Sequence, residues 1–172
     1  MDIDWSKCHC GVMLCSIEMT RHLMPEVSPL LNSILPHLQY NPDDYLVDVK
    51  VHMLMPGEYP CLPNWHRDFV PRDEDKKLLL DEITQEDLMY IHVSGEPFTE
   101  WKGFRDQFKS DGFNWIAFNQ KDIHRGVKSE VHTWRGFMRL IPKWFVHPGT
   151  KNMGQIRRHT QVYIDNPENF KW

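Results

Sequence analysis

The hydrophobic rhythm of the chain changes near residue 45. Upstream, SIEMTRHLMPEVSPLLNSILPHLQY (16–40) places Leu23, Val27, Leu30, Leu31, Ile34 and Leu38 at helical spacing, the pattern of one apolar helix face. Pro25, Pro29 and Pro36 must break or bound that helix, because proline lacks the N–H and crowds the preceding turn. Ser28, ahead of Pro29, is the expected N-cap. Downstream the period becomes two. In YLVDVKVHMLM (45–55), Tyr45, Val47, Val49, Val51, Met53 and Met55 share one face, and Asp48, Lys50 and His52 share the other. That alternation predicts one long strand, ended by Pro56-Gly57.

Further strands are predicted at LMYIHVS (88–94), WIAF (115–118), RGFMRLI (135–141) and TQVYI (160–164), with a short helix inside 96–112. No internal repeat or low-complexity stretch interrupts them. A helical start followed by many strands predicts a mainly β sandwich or barrel with a short N-terminal helical buttress. Residues 1–172 read as one domain: a helical extension over 1–44, a core over 45–142, and a C-terminal strand and loop over 143–172.

Composition narrows the function classes. A chain of 172 residues buries a core without staples, and a hydrophobic fraction of 41% with 26% charged residues is that of an ordinary globular protein. The net charge of −4 does not suit a wholly basic nucleic-acid glove. No apolar run approaches the ~18 residues of a membrane helix. The start, MDIDWSKCHCGVMLCS, lacks the basic and apolar regions of a secretory signal. Cys8, Cys10, Cys15 and Cys61 have no second CxxC-like pair, so reduced thiols in a cytoplasmic protein are expected rather than zinc or disulfides. No Gly-rich phosphate loop and no GxSxG occurs.

The chemistry-bearing stretch is PNWHRDFVPR (63–72). His66 and Asp68 stand two apart, so in extended chain they point to one side and can grip one object. With ten histidines in the chain, roughly one His-x-Asp arises by chance, and the pair needs a third partner. His124 supplies it, just beyond the WIAF strand; His132 is the competing choice. Two histidines and one carboxylate on one side of an ion leave its other side open, an arrangement suited to non-heme Fe(II). Arg135 and Arg139 share a strand face with Phe137 between them. Two arginines on such a strand are costly to bury without an anion; a dicarboxylate would match their planar donors. The alternative is that both reach solvent or pair with protein carboxylates.

The order of these parts, HRD at 66–68, DIHRG at 122–126 and WRGFMRL at 134–140, resembles the Fe(II)/2-oxoglutarate-dependent dioxygenase superfamily over residues 45–142. The resemblance implies a double-stranded β-helix, the jelly-roll-like barrel also built by cupins. It implies that His66, Asp68 and His124 bind Fe(II) as the catalytic centre. Arg135 would then pair with the distal carboxylate of 2-oxoglutarate, and Arg139 would meet cosubstrate or substrate. The implied reaction uses O2, converts 2-oxoglutarate to succinate, and hydroxylates or otherwise oxidises a bound substrate.

Around that frame, Tyr90 and His92 alternate with Met89, Ile91 and Val93. If the apolar trio faces outer packing, Tyr90 and His92 face the cavity and bond the cosubstrate; otherwise they pack or reach solvent. Trp65 and Phe69 are candidates to stack on a substrate, with core filling as the commoner fate of aromatics. Arg67, Arg72 and Arg125 make the mouth basic, and Lys143, Lys151, Arg157 and Arg158 add to it. This pattern predicts an anionic substrate, a nucleotide or nucleic acid among the choices, or else a solvated loop. Two other readings compete: a cupin-like metal protein without 2-oxoglutarate, and a non-catalytic barrel that binds a small anion or a protein.

Overall fold

Two ten-residue strands, Tyr45–Leu54 (β2) and Thr133–Pro142 (β9), pair antiparallel without a break from Tyr45↔Pro142 to Leu54↔Thr133. They form the centre of the fold. The structure, a computed structural model, describes residues 3–75, 77–147, 149–150, 153–158 and 160–164. The other strands, in chain order, are Gly11–Cys15 (β1), Glu58–Tyr59 (β3), Met89–Ser94 (β4), Glu100–Trp101 (β5), Asp106–Ser110 (β6), Phe113–Phe118 (β7), His124–Arg125 (β8), Gln155–Arg157 (β10) and Tyr163–Ile164 (β11). Five of these strands join β2 and β9 in one seven-stranded sheet of order β10-β1-β2-β9-β4-β7-β6. Two short ladders, β11-β3 and β5-β8, and a bridge between His66 and His124 lie outside it.

Strand alternation splits the large sheet into two faces. Tyr45, Val47, Val49, Tyr90, Trp115, Met138 and Leu140 pack with Met24, Val27, Leu30, Leu31 and Ile34 of the helical region in one core. That region consists of α1 (Ile17–Leu23) and α2 (Ser28–Ile34) with short 3-10 turns at Pro25–Val27 and Leu35–His37. Trp115 Nε1 donates to Ser33 Oγ at 3.0 Å, tying α2 to β7. The opposite face carries Leu46, Met89, Ile91, Phe118, Phe137 and Ile141 as a second apolar cluster. Asp48, Lys50, His52, Arg135 and Arg139 lie on that same face by register.

Several expectations are corrected. Over 96–112 the chain forms β5 and β6 with no helix, since its Pro, Gly and aromatic residues suit turns and edge strands better than a helical face. A strand, β1, lies inside the expected helical extension; its five residues are all small or apolar and show no alternation. Ser28 is the first residue of α2, with Val27 at the cap and no side-chain cap bond there; Ser16 caps α1 by accepting from Met19 N–H. The last predicted strand shrinks to Tyr163–Ile164. Lys151 lies outside the described residues. Among the described residues no helix is long and apolar enough to cross a membrane.

Candidate metal centre

His66 and His124 come together through the backbone. His66 N–H donates to His124 O at 2.9 Å, and His124 N–H donates to His66 O at 3.0 Å. Directly opposed residues in an antiparallel pair put their side chains on the same side, and here the ring centroids are 4.4 Å apart. Asp68, two residues along in a bend, brings its carboxylate to that side. One ligand atom from each of His66, Asp68 and His124 lies within 4.8 Å of the others, and His124 Nε2 is 3.5 Å from Asp68 Oδ2. His132 has no part in this cluster.

Each ligand is held differently. His66 Nδ1 is 2.8 Å from the Asn64 carbonyl; a proton on Nδ1 would leave the Nε2 lone pair for an ion. The His124 ring is fixed by packing, 4.7 Å from Trp101 and 5.9 Å from Phe118 between centroids; its Nδ1 is buried with no partner among the described residues. Burial pushes the His124 pKa down to about 4 against the opposing pull of Asp68, so the ring is neutral and able to ligate at pH 7. Phe69 takes a positive φ of 54°, and its carbonyl accepts from Gln120 Nε2 at 2.6 Å. This turn leads the chain away just after Asp68.

Burial raises the Asp68 pKa, but Arg139 and then the two histidines outweigh it and hold the carboxyl below its usual range. Arg139 commits both terminal nitrogens to carboxylates, donating to Asp68 Oδ2 and, at 2.7 Å, to Asp48 Oδ2. Asp48 is 2% exposed and accepts from Leu14 N–H at 2.9 Å. A bulge between Val12 and Cys15 and a positive φ of 51° at Leu14 aim that N–H. Arg139 is therefore a strut for the metal ligand, and it also lines the cavity where its expected contact with cosubstrate or substrate would be made.

A cavity of about 490 Å³ opens beside the triad, lined among others by Asp48, Lys50, Arg67, Phe69, Thr99 and Arg157. Arg135 is 1% exposed. Its Nε donates to Pro97 O at 2.8 Å, and one terminal nitrogen lies 3.4 Å from Thr99 Oγ1. No carboxylate reaches it among the described residues. Burial lowers its pKa to about 10, so it stays charged at pH 7.

Tyr90 and His92 are corrected. Their register places them with Leu140 and Met138 on the helical face, away from the triad. The Tyr90 hydroxyl accepts from Gln39 N–H at 3.0 Å, and His92 Nδ1 bonds the Asn114 carbonyl at 2.7 Å. Ile91 faces the cavity instead, because successive residues of a strand point to opposite faces. Arg67 and Phe69 do line the cavity. Trp65 lines a neighbouring groove of about 350 Å³ shared with His66, Arg67 and Phe69. Arg125 sits outside both, 2.8 Å from Glu100 and stacked on Trp65 at 4.5 Å. Asp48, Lys50, Asn64 and Gln120 escaped the sequence reading as site residues. Only the polar face of 45–55 carried a signal for the first two.

The donor set, two imidazole nitrogens and one carboxylate with an open cavity beside them, fits Fe(II) better than closed tetrahedral zinc. Compared with known proteins, the chain matches no family model, no curated protein and no solved structure.

Proposed function

We propose that the protein is an Fe(II)/2-oxoglutarate-dependent oxygenase acting on an anionic substrate. The observation that carries this reading is the convergence of His66, Asp68 and His124 on one wall of a cavity. Iron and 2-oxoglutarate, when bound, would supply the oxidising power, coupling reduction of O2 to formation of succinate and oxidation of the substrate. The chain's own groups would hold and orient. His66 and His124 give imidazole nitrogen donors, and Asp68 gives a carboxylate kept ionised by Arg139. The cationic far end of the site, with Arg135 buried behind the cavity wall and without a carboxylate partner among the described residues, would receive the distal carboxylate of the cosubstrate. Phe137 and Ile91 exclude water between the two ends.

The fold reading that accompanies this is a double-stranded β-helix. Support comes from the run β2-β9-β4-β7 in the large sheet and from an opposing wall of short ladders joined at His66 and His124. Arg67 and Arg157 at the cavity support an anionic substrate, with a nucleotide or nucleic acid within that class. Four free thiols suit a reducing compartment such as the cytoplasm.

The test is anaerobic loading with Fe(II) and then 2-oxoglutarate. The expected result is a visible charge-transfer band that His124→Ala abolishes, followed by succinate formation on admitting air. Iron uptake without any band or succinate would overturn the oxygenase reading in favour of a cupin-like metal protein. No iron uptake would favour a non-catalytic barrel.

A further inference from the structure

Lys50 is a cation in the cavity wall with no ion-pair partner among the described residues. It lines the same cavity as the triad, and its ammonium lies 5.2 Å from the centroid of the Phe137 ring, its register partner on β9. Among the described residues no carboxylate forms an ion pair with it. The two nearest acids are already engaged: Asp48 by Arg139 and Leu14 N–H, and Asp68 by Arg139. Burial and then Arg139 lower the Lys50 pKa, the response of a cation withdrawn from water without a counter-ion. A partly buried, unpaired ammonium on a cavity wall is costly unless an anion completes it.

Register sets the distance at which that anion would sit. Along the paired strands, Asp48↔Arg139 lies behind the metal ligand, Lys50↔Phe137 comes next, and His52↔Arg135 follows. Each two-residue step is about 7 Å. Lys50 is thus one step from the metal end and Arg135 two. Arg135 is tied to the Pro97 carbonyl and does not line the cavity, whereas Lys50 does.

We propose that Lys50 is the residue that contacts the distal carboxylate of the 2-oxo acid, with Arg135 reinforcing the positive field from behind. This assignment rests on the oxygenase reading and adds to it a specificity determinant. Lys50 would separate dicarboxylic 2-oxo acids from monocarboxylic ones, because both share the chelating head and only the former carries the anion that Lys50 needs.

The experiment is anaerobic titration calorimetry of the Fe(II)-loaded protein with 2-oxoglutarate and, separately, with pyruvate, which keeps the 2-oxo acid head and lacks the distal carboxylate. Lys50→Met is expected to weaken 2-oxoglutarate binding about 10- to 100-fold, the range of a charge-assisted contact, and to leave pyruvate binding unchanged. Lys50→Arg is expected to restore most of the preference. Thermal melting of Lys50→Met controls for folding, and replacement of an unpaired buried cation by an apolar group of similar length is expected to leave stability unchanged or raised. Should Lys50→Met misfold, Lys50→Gln carries the same comparison. If the wild type binds 2-oxoglutarate and the variants keep its preference over pyruvate, the Lys50 assignment is overturned and the oxygenase reading stands. If the wild type binds iron but neither 2-oxo acid, both are overturned.

Discussion

Arg139 donates to Oδ2 of Asp68, the same oxygen that stands 3.5 Å from His124 Nε2. The guanidinium thus fixes the carboxylate from behind while its other terminal nitrogen is anchored on Asp48. Arg139→Met would leave one buried and one half-buried carboxylate without their counter-ion, and a loss of about 3–5 kcal/mol is expected in urea melts. Coupling to Asp48→Asn, which removes one of those charges, is expected to recover part of the loss in a double-mutant cycle. Additive losses would show that the two groups act independently.

Metal binding is expected to stabilise the fold through linkage. At a free Mn(II) or anaerobic Fe(II) concentration of about a hundred times Kd, stabilisation of about 2.7 kcal/mol corresponds to a rise in Tm of roughly 5–10 °C. His66→Ala and His124→Ala are each expected to erase that rise. The apolar cluster of helices and sheet contains none of the three ligands, so the EDTA-treated protein is expected to keep its cooperative transition.

Gly136 has a packing role at the N-terminal segment. A Cβ built there would lie 1.8 Å from the Trp5 ring, which is 4% exposed. Gly136→Ala is expected to expel Trp5 from the sheet, with a red shift in tryptophan emission and a loss of about 1–3 kcal/mol. The additional substitution Trp5→Ala should remove the clash and hence the extra penalty of the alanine.

Stability should fall on both sides of neutrality. Burial, with Arg135 and Lys50 adding to it, pushes the His52 pKa down from 6.5 to about 3. The unfolded chain therefore binds this proton first, and the contribution present above pH 6.5 is lost as pH drops toward 3. Burial, with Glu26 adding to it, pushes the Cys8 thiol up from 9.0 to about 12. Here the unfolded chain ionises first, and stability present below pH 9 is lost as pH rises toward 12. Urea melts across this range are expected to show both limbs, with His52→Leu flattening the acid one and Cys8→Ala the alkaline one.

The alternation in 45–55 and the short apolar runs at 88–94, 115–118 and 135–141 by themselves determined the central strands, because a strand's two-residue period is written in local chemistry. The spacing of His66 and Asp68 likewise determined that two ligands share a side. Only the tertiary structure decided which face of each strand looks inward. On β4 Ile91 lines the cavity and Tyr90 and His92 lie on the opposite face, a choice that depends on neighbouring strands and not on β4's own pattern. It likewise decided that Arg139 serves two carboxylates and that Lys50 is left without one among the described residues. Pairing across the sheet joins residues 48 and 139, the loop after β3 brings in 68, and local sequence carries no record of which charges will come within reach.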